Sequence, residues 1–462
     1  MSPPPTTSIG KPAELSERPV TIRPNVFGLS LDTLRVWGLK SVLSLIDQAL
    51  TSGAGFAVNI LLARWLSPSI YGAFAVAFAA SLFVAGFHNV LVLEPLSVFG
   101  PARHASNLLA YFHVQVRLHF LLVGALSGLG LLAAVVLWFV VPQSPLTPAV
   151  AASSVALPFF LLLWLTRRMC YVVQRPSLAV SGSVAYLAAV LSSLLILRHS
   201  GTISPFSVFI VIGATSAFAS AILLWRLERH KKSKEQVVLS SREVLEENWT
   251  YGRWLVASTT LFTVSTQTQT FLAAGLLGLS AAGILRAMQI PSLAMTQVTT
   301  AAGLLVLPTF SYDFGKGLNV RLRQKAAFVS LSLAVGALCF VALLAVFIGP
   351  VEHLLFGGKY AAYAKLMPVF ALMPVFAGFG MGYSMALRAS QKPHFDLIAN
   401  AVAAPVGVLS AIAFIHWWGL SGAAVSMVFS FASASIVVCA SYRKIVGQNM
   451  ASRPVEEFAR HA

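Results

Sequence analysis

Asn59-Ile-Leu-Leu-Ala-Arg-Trp-Leu-Ser-Pro-Ser-Ile-Tyr-Gly72 ends one apolar stretch of the chain and begins the next. Thr270-Phe-Leu-Ala-Ala-Gly-Leu-Leu-Gly-Leu-Ser-Ala-Ala-Gly283 does the same in the second half of the sequence. The two segments align so that three residue types coincide, namely Leu66 with Leu277, Ser69 with Ser280 and Gly72 with Gly283. A weak internal similarity of this kind is typical of membrane transporters built from two repeats.

Outward from these segments, the chain is a ladder of about twelve apolar runs. Each run is about 20 residues long, which is the length that crosses roughly 30 Å of hydrocarbon as a helix. Hydrophobic residues make up 57% of the chain and charged residues 10%, which leaves no room for a sizeable soluble domain. The predicted spans are 41–63, 71–96, 116–141, 148–170, 177–197, 204–226, 252–277, 281–309, 326–349, 366–388, 395–416 and 419–441.

The positive charges lie almost entirely on one side of this ladder. Of the 32 Lys and Arg residues, all but five lie before the first span, after the last span or near the even-numbered loops. Basic residues near short loops are retained in the cytoplasm during insertion, so both termini are expected there. The five exceptions are Arg64, Arg198, Arg286, Lys359 and Lys365.

The predicted fold is therefore an all-α polytopic membrane protein with two six-helix bundles. The expected divisions are a disordered cytoplasmic N-terminal tail (1–40), an N-terminal bundle (41–226), a basic cytoplasmic linker (227–251), a C-terminal bundle (252–441) and a cytoplasmic tail (442–462). Because six is even, both halves would insert in the same orientation, as a parallel repeat with the substrate path between them.

The charge distribution and the motifs of the sequence argue against nucleic-acid-binding proteins and against several classes of enzyme. The net charge of +17 is scattered over short loops, where it sets topology and meets anionic lipid heads, so no nucleic-acid partner is expected. The sequence has no phosphate-binding loop of P-loop NTPases, no zinc-protease motif and no nucleophile elbow. We therefore expect a protein that is not an enzyme and has no cofactor, with coupling to protons or sodium left open.

Two carboxylates fall inside predicted spans, where a charge costs about 2.5–3.5 kcal/mol unless it is paired or hydrated. Asp47 lies about two turns inside the first span, and Glu94 lies near the cytoplasmic end of the second. Arg117, with His119, begins the third span on the same side. These residues form either an ion-pair cluster that fixes helix packing or a gating and proton-coupling site.

Arg286 lies about one turn inside the eighth span, toward the expected outer side, with no evident carboxylate partner. Gln289 follows three residues later, on the same helical face. A planar guanidinium in this setting suits a phosphate, although an arginine near a span end also extends to the interface. Both interpretations stay open from sequence.

The seventh span is too rich in hydroxyls and amides for a lipid-facing helix. Thr263, Gln267 and Thr270 share one face at helical spacing. That face either hydrogen-bonds a neighbouring helix or lines a hydrophilic cavity suited to sugar hydroxyls. Asn59 in the first span and His88 in the second are candidates for the opposite wall.

Four stretches resemble one known family. Leu61-Leu-Ala-Arg-Trp-Leu-Ser-Pro-Ser-Ile-Tyr-Gly-Ala-Phe74 resembles the first-span exit of polysaccharide-export flippases. Leu354-Leu-Phe-Gly-Gly-Lys-Tyr-Ala-Ala-Tyr-Ala364, Trp418-Gly-Leu-Ser-Gly-Ala-Ala-Val425 and Tyr251-Gly252 are similar to further stretches of that family. The resemblance covers about residues 35–445, and it lies in the order and spacing of these motifs.

The family belongs to the multidrug/oligosaccharidyl-lipid/polysaccharide exporter superfamily. The resemblance implies two bundles around a cavity that opens alternately to each side, and a cargo of oligosaccharide on polyprenyl pyrophosphate. It also implies a cavity arginine in the eighth span, which Arg286 matches. The further cavity arginines that related lipid flippases carry in their first two spans have no counterpart here, because Arg64 lies at the outer edge.

The predicted function is thus an alternating-access flippase of the inner membrane for surface polysaccharide biosynthesis. Its expected partners are the lipid-linked oligosaccharide, membrane lipids, and the polysaccharide polymerase and export machinery. Two alternatives are a cation-coupled multidrug antiporter of the same superfamily and a membrane glycosyltransferase or polymerase.

Overall fold

The computed structural model describes residues 31–229, 239–390, 392 and 394–451. Most of the predicted N-terminal tail, the middle of the basic linker and most of the C-terminal tail lie outside these residues. Within them the chain is helical, with no strand. The all-α fold with two bundles of membrane-spanning helices is confirmed, while the side of the membrane on which each end lies stays a prediction.

The described part of the N-terminal half contains seven α-helices, one π-helical segment and a 3-10 turn, Ala105–Asn107. The order is α1 (Leu31–Trp65), α2 (Pro68–His88), a π-helix (Asn89–Leu93), α3 (Glu94–Arg103), α4 (Leu108–Val140), α5 (Leu146–Val172), α6 (Pro176–His199) and α7 (Pro205–Arg229). The segment from α2 through α3 is a single continuous span, Pro68–Arg103, with the π-helix in its middle. This is the second span predicted from sequence.

The described part of the C-terminal half contains six α-helices. They are α8 (Ser241–Leu277), α9 (Leu279–Gly315), α10 (Asn319–Val346), the short α11 (Ile348–Phe356), α12 (Leu366–Ala389) and α13 (His394–Ala451). Ten helices of the described chain are long and apolar enough to cross a membrane. The other two of the twelve predicted spans are the more polar α8 and the second part of α13, which bends at Gly419.

Two ends of the structure are useful for orientation. We call the end where α1 begins and α13 finishes the terminal end, and the opposite one the distal end. The turns at Ser67, Gly278 and Gly357 lie at the distal end. Ser67 caps α2 by accepting from the Ile70 amide, and Pro68 follows at the first helical position, where its missing N–H costs nothing.

The two halves cross most closely where the aligned segments meet. A Cβ added to Gly72 of α2 would overlap the carbonyl oxygen of Leu279, and one added to Gly283 of α9 would lie 2.8 Å from the Gly72 nitrogen. The two glycines that coincide in the sequence alignment therefore contact each other across the interface. This close approach is the kind that small residues permit in membrane helix pairs.

Candidate functional site

The glycine crossing determines where Arg286 lies. Arg286 follows Gly283 by three residues on α9, so its side chain lies beside α1 and α2 of the other half. Its Nε donates to Asn59 Oδ1 at 3.5 Å, and its Nη1 donates to Gln289 Oε1 at 3.2 Å. The guanidinium also lies 5.7 Å from the centre of the Phe78 ring. The sequence predictions of Arg286, Gln289 and Asn59 thus converge on one place.

A tyrosine that sequence reasoning missed completes this group. Tyr71 is fully buried, its hydroxyl donates to Asn59 Oδ1 at 3.2 Å, and it interacts with Arg286. Asn59 holds its orientation by donating its amide to the Gly55 carbonyl at 2.8 Å, which leaves Oδ1 free to accept. The signals for Tyr71 in the sequence were its place beside Gly72 in the aligned segment and in the stretch that resembles the flippase family. We call Asn59, Tyr71, Arg286 and Gln289 the arginine group.

The arginine group has a net positive charge at the boundary between the halves. The described residues that contact Arg286 are amides, a hydroxyl and an aromatic ring, and none is a carboxylate. The charge of a guanidinium that is partly buried among neutral groups is stabilised less than that of a guanidinium beside an anion. The arrangement can therefore bind a phosphate, whose oxygens match the planar fork of the arginine.

The predicted polar face of the seventh span lies on α8. Thr263 is buried where α8 packs on α2, and a Cβ added to Gly86 would lie 3.5 Å from its hydroxyl oxygen. Thr263 donates to the carbonyl of Thr259 on its own helix at 2.8 Å. Thr270 is buried as well, whereas Gln267 is half-buried. Thr263 accordingly matches the helix-packing alternative.

His88 does not join the arginine group in this conformation. It is fully buried, and its Nε2 lies 3.0 Å from Nδ1 of His119 on α4. The ring of His119 in turn lies 3.0 Å from the carbonyl oxygen of Pro158 on α5. His88 thus faces the interior of the N-terminal bundle rather than the wall opposite Arg286.

Asp47 is paired, but with a different arginine from the one grouped with it. It is fully buried, and its Oδ2 lies 2.6 Å from Nη2 of Arg167 on α5. Tyr171 donates to the same oxygen, and Ser183 of α6 donates to Oδ1. Arg117, in contrast, is exposed on α4. The grouping of Arg117 with Asp47 is therefore corrected, because the turn of α4 directs Arg117 away from the bundle interior.

Glu94 lies in a separate place from Asp47. It accepts from Asn89 Nδ2 at 3.1 Å and interacts electrostatically with Arg168 of α5 and Arg388 of α12. The predicted cluster of Asp47, Glu94 and Arg117 is thus two separate sites, each opposite one of two consecutive arginines on α5. In the sequence, Arg167 and Arg168 counted only as topology signals at the end of the fourth span.

Polar contacts join the two halves at both ends. At the distal end, Lys359 Nζ donates to the carbonyls that end α1, those of Ala63, Arg64 and Leu66, at 3.3, 2.5 and 2.8 Å. The Tyr360 hydroxyl donates to the Ala63 carbonyl as well, at 3.2 Å.

At the terminal end, the amides of Gln115 on α4 and Asn248 on α8 donate to each other, at 3.2 and 3.0 Å. Glu247 beside them pairs with Arg103 at 2.5 Å and lies 3.2 Å from His104. These contacts consist of hydrogen bonds and ion pairs that water can replace. A change that opens one end between the halves must separate these polar contacts, the close glycine crossing and the apolar side chains that pack beside them.

No protein-family model and no curated protein matches this sequence. Solved structures do match the fold. The chain superposes on the inward-facing conformation of a multidrug resistance MATE family transporter of the MOP superfamily with a TM-score of 0.74 at 13% identity, covering 89% of this chain and 100% of that one.

Two further solved structures share the fold, and one of them is a lipid flippase by name. A eukaryotic MATE transporter matches with a TM-score of 0.65 at 16% identity, covering 92% of this chain and 98% of that one. The lipid II flippase MurJ, in an inward closed conformation, matches with a TM-score of 0.64 at 14% identity, covering 88% of this chain and 87% of that one. This multi-pass membrane protein therefore has the two-bundle fold found in MATE transporters and in the lipid II flippase.

Proposed function

We propose that the protein is an alternating-access flippase that moves a polyprenyl-pyrophosphate-linked oligosaccharide across the inner membrane for surface polysaccharide biosynthesis. The observation that carries the proposal is the arginine group, a cation at the boundary between two bundles that has no carboxylate partner among the described residues. The fold is shared with transporters, and one of them is a lipid II flippase by name.

The chemistry of the cargo matches that of the boundary. A sugar pyrophosphate cannot enter hydrocarbon unaided, because each unpaired hydroxyl or charge costs several kcal/mol. Arg286 would hold the pyrophosphate, with Asn59 and Gln289 as neutral donors and acceptors beside it. Gln267, half-buried on α8, would meet sugar hydroxyls. The polyprenyl chain would stay in lipid between the bundles.

The two sets of inter-half contacts provide the alternation. The Lys359 contacts and the glycine crossing would close the distal end while cargo enters from the terminal end. The Gln115–Asn248 amide pair and the Glu247 ion pairs would close the terminal end while cargo leaves. We expect the polymerase and the export machinery to receive the cargo on the far side.

The multidrug antiporter is the second candidate, because the fold is also that of MATE transporters. A cationic drug needs a carboxylate in its path. Asp47 is fully buried and satisfied by Arg167, Tyr171 and Ser183, and Arg286 would repel a cationic drug. A glycosyltransferase or polymerase is less well supported, since the transporters that share the fold are not such enzymes by name.

The test is gene deletion followed by extraction of the lipids. We expect polyprenyl-pyrophosphate oligosaccharide to accumulate and surface polymer to disappear, and wild-type protein to reverse both effects. Arg286→Ala should not restore export, Arg286→Lys should restore part of it, and Arg242→Ala, an exposed arginine on α8, should restore all of it. Normal lipids and polymer in the deletion strain, with new sensitivity to cationic dyes, would instead favour the drug antiporter.

A further inference from the structure

Two histidines form a pair inside the N-terminal bundle, in contact with no residue of the arginine group. We propose that His88 and His119 are a binding site for one proton, and that the charge on this site controls the contact between the two halves. That this proton drives cargo movement rests on the proposed function, whereas its binding does not.

The hydrogen atoms of the pair follow from its neighbours. The carbonyl oxygen of Pro158 can only accept, so His119 Nε2, 3.0 Å away, carries a hydrogen. In a neutral His119 ring, Nδ1 is then an acceptor, and it accepts from the Nε2–H of His88 at 3.0 Å. His88 Nδ1 is left as a bare lone pair. It is buried and has no hydrogen-bond partner among the described residues.

This arrangement takes up one proton and no more. A proton from water that binds His88 Nδ1 makes that ring an imidazolium, and every hydrogen bond of the pair remains in place. A second proton would have to occupy His119 Nδ1 and break the bond between the rings. Buried polar atoms almost always have partners, so an unpartnered ring nitrogen in the bundle interior calls for an explanation. Proton binding supplies one.

The surroundings contain no permanent counter-charge for this proton. Among the described residues, the titratable group in direct contact with His88 is His119. On the same span, Glu94 accepts a hydrogen bond from Asn89. On α4, Arg117 is exposed. On α5, the charged Arg167 and Arg168 lie roughly two and a half turns beyond Pro158.

The α8 face that packs on α2 beside the pair presents Thr259 and Thr263. The titratable Tyr251 of α8 instead contacts Phe99, and Arg253 is exposed. Because an unpaired charge is costly inside the bundle, the protonated pair favours a conformation in which water reaches His88.

The pair adjoins the place where the halves contact. The π-helix Asn89–Leu93 begins at the residue after His88, and π-helical turns inside α-helices often mark functional sites. The carbonyl of Val90, in this π-helix, lies against α8 so closely that a Cβ added to Gly252 would be 2.8 Å from its oxygen. Hydration or movement of His88 therefore acts directly on the packing of α8 against α2.

The test measures the distance between the two halves as a function of pH, in the absence of cargo. Spin labels are placed on exposed distal residues, at Gln143→Cys and Lys365→Cys, after Cys170, Cys339 and Cys439 are replaced by serine. Double electron–electron resonance in lipid nanodiscs then gives the populations of the short and long distances. From about pH 8 to about pH 5, where histidines titrate, we expect the ratio to change by up to tenfold per pH unit, as one bound proton requires.

Variants separate this site from other groups. His88→Gln keeps a donor toward His119 but cannot take up a proton, so the pH response should disappear. His119→Asn still accepts from His88, so the response should remain with a displaced midpoint. His113→Gln, at an exposed histidine beside Glu228, should keep the wild-type slope.

Thermal unfolding confirms that each variant is folded. An unchanged slope in folded His88→Gln, or a wild type with no pH response, would overturn the proposal. Either result leaves the flippase itself standing, because lipid accumulation in the deletion strain tests that separately.

Discussion

Asp47 and Arg286 are both charged side chains within apolar helices, yet their surroundings are opposite. Asp47 lies inside one bundle, where an arginine, a tyrosine and a serine satisfy both oxygens. Arg286 lies between the bundles, and its neighbours are neutral. A charge that is fully paired within a rigid unit contributes to holding that unit together. A charge without a carboxylate partner at the boundary between two bundles is available for a ligand.

The largest expected effect tests the first half of this comparison. Asp47→Ala leaves Arg167 buried without its partner, which should destabilise the protein by about 3–5 kcal/mol. The measurement is thermal unfolding of the purified protein together with its level in membranes. Asp47→Leu combined with Arg167→Met should recover most of the loss, because no charge then remains unpaired. A stable Asp47→Ala protein without export would instead make Asp47 a coupling residue.

The next effect concerns the boundary itself. Gly72→Ala places a methyl group against the Leu279 carbonyl, and overpacking of this kind costs about 1–3 kcal/mol. Because the strain exists only while α2 and α9 cross closely, the variant should favour the distally open state, which distances between labels at Gln143 and Lys365 would report. Gly53→Ala is the matched control, since a Cβ at Gly53 has no neighbour within 4 Å. Equal distances in the two variants would contradict this account.

A smaller effect on stability is expected at Arg286, and this sharpens the comparison most directly. Arg286→Met removes a charge that no carboxylate balances, so the free energy of unfolding should stay equal or rise by about 1 kcal/mol, while export is lost. The free energy of unfolding should thus change in the opposite direction from its change in Asp47→Ala, and the measurement tests this difference. If Arg286→Met were as unstable as Asp47→Ala, Arg286 would have a structural role.

The smallest effect is expected at the distal contacts. Lys359 donates to three carbonyls at the end of α1, where a positive charge is favourable. Lys359→Gln should weaken this contact by about 0.3–1 kcal/mol, because the helix-end charge is lost. We expect a modest increase of the distally open population and partial export. Lys316→Gln, an exposed lysine at the terminal end, serves as the control.

The fold was predictable because it depends on periodic and topological features. Apolar runs of membrane length and the distribution of Lys and Arg predict the spans, and the aligned segments predict two halves. The grouping of Arg286 with Gln289 and Asn59 was also within reach. Gln289 is one helical turn from Arg286, and Asn59 belongs to the same aligned segment as Gly72.

Other parts of the site depend on tertiary packing that no short pattern encodes. The partner of Asp47 is on α5, and only the rotation of each helix decides that Arg167 faces inward and Arg117 outward. The π-helix after His88 comes just before Pro95, which has no N–H to donate to the Leu91 carbonyl, but a proline alone does not tell whether a helix kinks, ends or widens. The pairing of His88 with His119 joins two spans whose contact cannot be read from either one.

The crossing of Gly72 and Gly283 also bears on how the chain is made. The ribosome inserts α2 long before α9 exists, so for that time the glycine face of α2 meets lipid instead of protein. The first half must therefore hold together through its own contacts, among them those of Asp47 with Arg167, Tyr171 and Ser183, until the second half is inserted. If so, the two halves produced as separate polypeptides should find each other in the membrane, and the glycines are the place where they would join.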